Sequence, residues 1–87
     1  MTDRVKLTAA ARRDLAGLLP EILPRIDARL LRLMETPRPR GVERVQGRRE
    51  GLLVRVGDDR ILSVVDDVQQ VVTIARVRHR RDVYRGL

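Results

Sequence analysis

The chain has 87 residues and a formal net charge of +7, with no cysteine and a single histidine. We expect one domain over residues 1–87, because this length is near the lower end at which a single core sustains a fold. The missing cysteines exclude disulfides and thiolate metal sites, and one histidine argues against a structural zinc site, so no metal or cofactor is predicted. The positive charge predicts an anionic partner: a nucleic acid, an acidic protein or both.

The N-terminal stretch is MTDRVKLTAAARRD, which has charged residues every few positions and no apolar run of signal-peptide length. No segment approaches the roughly 20 consecutive apolar residues that a membrane-spanning helix needs. We therefore expect a cytoplasmic protein without membrane contact.

The first predicted elements are a short strand and a helix. Val5 and Leu7 alternate with charged side chains in DRVKLT, which is typical of an amphipathic strand. Thr8 is expected to cap a helix through AAARRDLAGLL, and Pro20 is expected to end it. The apolar face of this helix would comprise Ala11, Leu15, Leu18 and Leu19.

A second helix is predicted to begin near Glu21, because Pro24 is tolerated only in a first turn. It should end at TPRPRG, where two prolines cannot continue a helix. Its apolar positions at helical spacing are Ile22, Ile26, Leu30, Leu33 and Met34. The two helices should form an antiparallel pair that shares one apolar face.

After an expected loop through GVERVQGRREG, the hydrophobic period changes to two. Three runs rich in β-branched residues follow: LLVRV, RILSVV and QVVTIARV. Gly57-Asp58-Asp59 and Asp66-Asp67 are hairpin-turn signals between them, because glycine and aspartate tolerate the backbone angles of tight turns. The order β-α-α-β-β-β predicts an α+β fold in which two helices pack on one face of a small, mainly antiparallel sheet.

The C-terminal residues combine charge with the only aromatic ring of the sequence. Positions 76–87 contain five arginines, the histidine and the tyrosine. A disordered basic tail and a site that handles RNA would both have this composition. Metal-independent RNA cleavage needs help in removing the 2′-hydroxyl proton, stabilising the phosphorane and protonating the leaving oxygen. Arginine suits the charge stabilisation. A tyrosine among cations suits acid–base work or stacking on a base.

From residue 48 onward, RREGLLVRVGDDRILSVVDDVQQVVTIARVRHRRDVYR resembles the RelE/ParE superfamily of bacterial toxins, and specifically its RelE branch. The resemblance rests on RVGD.R, VDD, VVTIARV and HRRDVYR, and LTAAARRDLAGL and TPRP extend it over nearly the full chain. It implies a toxin that cleaves mRNA in the ribosomal A site and forms a heteromeric complex with a neutralising, RelB-like antitoxin. Members of the ParE branch share the fold but poison DNA gyrase.

The resemblance also implies roles for particular residues. Arg55 and Arg60 match basic positions on either side of the first hairpin, Arg80 matches an arginine that assists leaving-group protonation or charge stabilisation, and Tyr84 matches a general base or stacking tyrosine. His79 is a possible acid or base, since an imidazole titrates near neutral pH. The remaining cluster is expected to contact ribosomal RNA or the antitoxin: Arg76, Arg78, Arg81 and Arg85. The alternative for each of these arginines is an ordinary solvated charge.

The sequence departs from the family pattern at Leu52, Leu53, Asp59 and Ser63. The family often has an aromatic and then a basic residue at the first two positions, and aromatics at the last two. Asp59 is expected to place a negative charge beside Arg60, where a phosphate should lie. These departures favour the alternative of a weakened or non-enzymatic member, either a ParE-like gyrase poison or a protein that only binds its antitoxin. A plain RNA- or DNA-binding module is disfavoured, because the strands have no stacking aromatics.

Overall fold

The structure, a computed structural model, describes residues 3–45 and 51–79. The elements in chain order are β1 (Arg4–Leu7), α1 (Ala9–Ala16), α2 (Leu23–Glu35), β2 (Glu43–Val45), β3 (Gly51–Val56), β4 (Asp59–Asp66) and β5 (Val71–His79). The predicted α+β class, with two helices on a mainly antiparallel sheet, is confirmed. Neither helix is long and apolar enough to cross a membrane, within the residues described.

The five strands form one sheet in the order β1-β5-β4-β3-β2. β3, β4 and β5 are the predicted antiparallel meander, and β1 lies parallel to β5 at one edge. β2 corrects the expectation of a continuous loop between α2 and β3, because it pairs antiparallel with the first half of β3. Its three residues are too few to produce a periodic sequence signal, so pairing with β3 defines this strand.

Thr8 begins α1 as predicted. Its hydroxyl oxygen accepts a hydrogen bond from the Ala11 N–H at 3.0 Å and donates one to the Ala75 carbonyl at 2.9 Å, which ties the helix start to β5. The predicted end at Pro20 is wrong, since α1 ends at Ala16 and Gly17 follows as its cap. Glycine is a poor helix former, and Leu19, predicted on the apolar face, lies beyond the end of the helix and is 57% exposed.

α2 begins two residues after the predicted start and ends at Glu35, before the prolines. Pro24 lies in its first turn, where a backbone N–H would have no partner within the helix. Ile26, Leu30 and Leu33 are buried, which confirms the centre of the predicted apolar face.

The two faces of the sheet differ in what covers them. One face packs against the helices, and we call it the helix face; its buried residues on β3, β4 and β5 are Leu52, Val54, Ile61, Val65, Val72, Ile74 and Val77. The opposite face, here the outer face, has a separate small apolar cluster of Leu53 and Leu62, with Val45 and Ala75 beside it. An irregularity in the pairing of β4 with β5 gives β5 one extra residue, which explains how Ile74 and Val77 can both reach the helix face.

The hairpin between β3 and β4 sets the register of the outer face. Its turn consists of Gly57 and Asp58 alone, and Gly57 has φ +60°, which glycine adopts without strain. Asp59, expected in the turn, is instead the first residue of β4. A two-residue turn places Arg55 directly opposite Arg60.

Candidate nucleic-acid interface

Three arginines lie side by side on the outer face. Arg55 of β3 is the register partner of Arg60 of β4, and Arg60 is the register partner of Arg78 of β5. Neighbouring strands are about 4.8 Å apart, so the three positions span about 10 Å across the sheet. We call Arg55, Arg60 and Arg78 the arginine row. It unites two predicted catalytic positions with one residue that was expected only to bind RNA or antitoxin.

The arginine row has few internal partners. Among the described residues, Glu43 of β2 is the one carboxylate within 4 Å of a guanidinium of the row, and its Oε1 lies 3.4 Å from Nη2 of Arg55. Arg60 Nη1 donates to the carbonyls of Asp59 at 3.1 Å and Gly57 at 3.3 Å. Like charges placed opposite each other on neighbouring strands destabilise a sheet. The row is therefore better suited to an anionic ligand than to stabilising the fold.

An apolar pair lies two residues along the strands from the arginine row, on the same face of the sheet. Leu53 pairs with Leu62, and both are almost fully buried, at 2% and 6% exposure. The position where the family often has a basic residue is therefore occupied by a leucine that packs against its neighbour on β4. The arginine row gains no fourth cation from Leu53.

The expectation that Asp59 would compete with phosphate beside Arg60 is wrong. Successive residues of a strand point to opposite faces, and Asp59 pairs with Val56 whereas Arg60 pairs with Arg55. Asp59 is 8% exposed at the edge of the helix face. Two other departures from the family pattern, Leu52 and Ser63, are also on the helix face, where they are register partners. Leu53 is thus the one departure beside the arginine row.

Arg76 is bound within the fold. Its Nε and Nη2 donate to the two carboxylate oxygens of Asp14 in α1, at 2.9 and 3.2 Å, and the Val77 N–H donates to the same carboxylate at 3.0 Å. Burial by itself raises the pKa of the Asp14 carboxyl, but the hydrogen bonds from Arg76 and Val77 and the charges of Arg76 and Arg78 outweigh it, so the pKa lies below its usual value. The hydrogen bond with Asp14 in turn raises the pKa of Arg76.

Asp14 therefore closes the edge of β5 beyond the end of β1, and Arg76 is fixed to α1 instead of joining the row. Sequence reasoning missed Asp14 and Glu43, since each looks like an ordinary surface acid in a charged stretch.

The other predicted site residues are separated from the row or lie outside the described residues. His79 is the register partner of Asp59, which places it at the end of β5 on the face opposite the arginine row. Four predicted residues fall outside the part of the chain that the structure describes: Arg80, Arg81, Tyr84 and Arg85. Within residues 3–45 and 51–79, no three histidine, aspartate or glutamate side chains gather in a way that could hold a metal ion.

Comparisons with known proteins agree with this architecture. The sequence profile of a family described as the ParE toxin of the type II toxin-antitoxin system parDE matches residues 5–84. A chain of the toxin-antitoxin complex RelBE2 from Mycobacterium tuberculosis is 34% identical, with a TM-score of 0.78 over 92% of this chain and 100% of that one. A chain of the archaeal RelE-RelB complex from Pyrococcus horikoshii OT3 is 25% identical, with a TM-score of 0.77 over 92% of this chain and 97% of that one.

A mutant of the E. coli toxin RelE in the free state has a TM-score of 0.80 at 16% identity, over 97% of this chain and 90% of that one, a likeness of fold alone. Among curated proteins, none matches the chain.

Proposed function

The chain belongs to the RelE/ParE superfamily of toxins of type II toxin-antitoxin systems, and from this premise we propose that it is a RelE-type mRNA endoribonuclease that acts on the ribosome. The observation that carries the proposal is the arginine row, because its three guanidinium groups have only one carboxylate beside them among the described residues and so form a surface for consecutive phosphates. The similarity to chains of the RelBE2 and archaeal RelE-RelB complexes supports the same choice.

In this mechanism the arginine row holds the RNA backbone and stabilises the negative charge that develops on the scissile phosphate. Arg60 is central in the row and donates to the backbone carbonyls of Gly57 and Asp59, which limits its freedom before RNA binds. The family resemblance assigns the proton transfers to residues near the C-terminus. Tyr84 would accept the 2′-hydroxyl proton or stack on a base, and Arg80 would assist the leaving group.

A RelB-like antitoxin is the proposed partner. Two supporting observations are the net charge of +7 and the solved complexes of RelE with RelB among the similar structures. An acidic segment of the antitoxin would compete with RNA for the arginine row, in the way that Glu43 already contacts Arg55. Neutralisation would then follow from covering the surface that binds phosphate.

The test compares Arg60→Ala with Arg44→Ala. Arg44 is an exposed arginine of β2 in the same sheet, and its register partner Leu52 belongs to the helix face, so this control removes an equal charge away from the row. Loss of one preorganised donor to a developing charge lowers turnover about 10²- to 10³-fold, so Arg60→Ala should slow single-turnover cleavage on programmed ribosomes by that factor. Arg44→Ala should cleave like the wild type.

In the same assay, Tyr84→Phe keeps the ring and removes the acid–base group, and general base catalysis contributes about 10²- to 10⁴-fold. Primer extension on the transcripts maps the cut sites. Equal background cleavage by the wild type, Arg60→Ala and Tyr84→Phe would refute the endoribonuclease proposal.

A gyrase poison is the second candidate, favoured by the description of the matching profile as a ParE toxin. The two functions separate in one experiment, in which purified toxin is added either to programmed ribosomes or to a gyrase supercoiling reaction. We expect transcript cleavage and unchanged supercoiling. Inhibited supercoiling together with intact transcripts would favour the gyrase function.

A further inference from the structure

A cavity of about 200 Å³ lies beside the arginine row, between α2, the loop of residues 39–42 and β3. Three of the described residues that line it are arginines, Arg29, Arg40 and Arg55, and none of these lining residues is acidic. The loop contains Gly41, whose φ of +78° favours glycine. The cavity thus brings together cations from a helix, a loop and a strand that are far apart in the sequence.

Arg29 has an unmatched donor in this region. Its Nε is buried, and no acceptor within the described residues lies at hydrogen-bonding distance. Leaving a buried donor of a charged group without a partner is costly, and such groups in native structures generally bind water or an ion. Because two further guanidinium groups line the same cavity, an anion satisfies Arg29 better than a neutral water molecule.

Arg55 belongs both to the cavity and to the arginine row. Its side chain is 65% exposed, and its contact with Glu43 is long at 3.4 Å, so a stronger acceptor can displace that carboxylate. Arg29 and Arg40 therefore continue the positive surface of Arg78, Arg60 and Arg55 around the edge of the sheet.

We propose that this cavity is a phosphate subsite for single-stranded RNA, which binds a backbone phosphate next to the segment held by the arginine row. This inference rests on the proposed function in one respect, since it takes RNA to be the ligand of the arginine row. Arginine forks bind phosphate oxygens in pairs. The three arginines have only Glu43 as an acidic contact among the described residues, so the cavity keeps a net positive charge that a phosphodiester would balance. An RNA strand would then cross β5, β4 and β3 and turn over the β3 edge towards α2.

The experiment measures equilibrium binding of the full-length protein to a single-stranded RNA dodecamer over a range of salt concentrations. Arg29→Gln removes the cation of α2, Arg40→Gln removes the cation of the loop, and Arg12→Gln is the control. Arg12 is an exposed arginine of α1, the helix that packs on β5 and β1 at the other side of the sheet.

Hydrogen bonds to charged groups correspond to a change of about 10- to 100-fold, so each cavity variant should bind the dodecamer more weakly by that factor. The slope of log affinity against log salt should fall by about 0.7 for each lost phosphate contact. The control should match the wild type in slope and remain within a few-fold in affinity.

Unfolding does not confound this result, because Arg29→Gln removes a donor that has no partner in the described part of the fold. Its thermal midpoint should equal or exceed that of the wild type. A variant that binds RNA weakly while keeping its midpoint supports the subsite.

The proposal fails if both cavity variants bind the dodecamer with the affinity and salt slope of the wild type. That result would mean that the cavity holds only water or, if the variants weaken the binding of an acidic antitoxin peptide, that it serves the antitoxin instead of RNA. It also fails if the wild type shows no salt-dependent affinity for RNA. Failure of the endoribonuclease proposal has a different signature, since absent cleavage on ribosomes does not alter the affinities and salt slopes that test the cavity.

Discussion

Two adjacent residues of β4 illustrate how differently the two faces of the sheet are used. Ile61 is fully buried on the helix face, between its register partners Val54 and Val77. Arg60 lies on the outer face, in the centre of the arginine row, and the polar contacts of its guanidinium within the described residues are the carbonyls of Gly57 and Asp59. One residue step thus separates a position that stabilises the protein from a position that is available to a ligand.

The outer face shows what a binding surface gives up in stability. A row of three like charges is less favourable than a row of paired or apolar side chains. The difference in stability is about 0.2–1 kcal/mol for each neighbouring pair. The apolar rows of the helix face compensate for this elsewhere in the same strands. Residues that break a local stabilising pattern are often found at functional sites, and the arginine row is such a break.

The largest expected effect sharpens this comparison. Truncating a buried isoleucine to alanine costs about 2–5 kcal/mol, so Ile61→Ala should lower the free energy of unfolding by that amount in denaturant titrations. Arg60→Gln should change it by less than about 0.5 kcal/mol, because surface substitutions without strong partners have little effect on stability. Ile61→Val, at about 0.5–1.5 kcal/mol, keeps enough folded protein for a functional comparison.

Functional measurements on the same variants should give the opposite order. Ile61→Val should bind RNA and cleave at the wild-type rate per folded molecule, whereas Arg60→Gln should lose both. If Arg60→Gln unfolds as readily as Ile61→Ala, the arginine row is part of the stabilising framework and the contrast between the two faces is wrong.

Periodicity predicted the parts of the fold that depend on burial. The apolar face of α2, the cap at Thr8 and the three-stranded meander all follow from local patterns of side-chain type, and all are present. β2 was missed because it depends on pairing with β3. The early end of α1 was missed because it depends on how much apolar surface a longer helix would bury. A short local sequence window reports neither.

The candidate site was predicted in its residues but not in its arrangement. The family resemblance pointed to Arg55 and Arg60, and only the register of the strands places Arg78 beside them. Asp59 lies on the opposite face because it is the first residue of β4, whereas the sequence pattern placed it in the turn. The partner of Arg76 is 62 positions away in sequence, so the role of Asp14 follows from tertiary structure alone.

A smaller effect is expected where Arg76 of β5 meets Asp14 of α1. Asp14→Asn should lower the free energy of unfolding at neutral pH by about 2 kcal/mol, because hydrogen bonds to charged groups contribute about 1.5–3 kcal/mol and both side chains are largely buried. The exposed fractions are 13% for Asp14 and 24% for Arg76. Loss of the pair should leave Arg78, and thus RNA binding, nearly unchanged.

The same pair predicts a pH dependence of stability. The pKa of the folded Asp14 carboxyl lies below its usual value of 3.8, so its contribution is fully present above that value and is lost as the pH falls through the lower, folded-state pKa. Denaturant titrations between pH 2 and pH 6 should show a steeper acid loss of stability in the wild type than in Asp14→Asn. Parallel curves would show that the carboxylate has no net role in stability.

The smallest effect is expected for Arg38 and Asp67, an ion pair with similar chemistry in an exposed position. Arg38 donates two hydrogen bonds to the Asp67 carboxylate at 2.9 and 3.0 Å, and the hydrogen bonding from Arg38 lowers the pKa of Asp67. The side chains are 39% and 71% exposed, and solvent screens exposed pairs so that many contribute nothing measurable. Asp67→Asn should therefore leave the thermal midpoint unchanged. A shift as large as that of Asp14→Asn would mean that the bidentate geometry, and not burial, decides what an ion pair contributes to this fold.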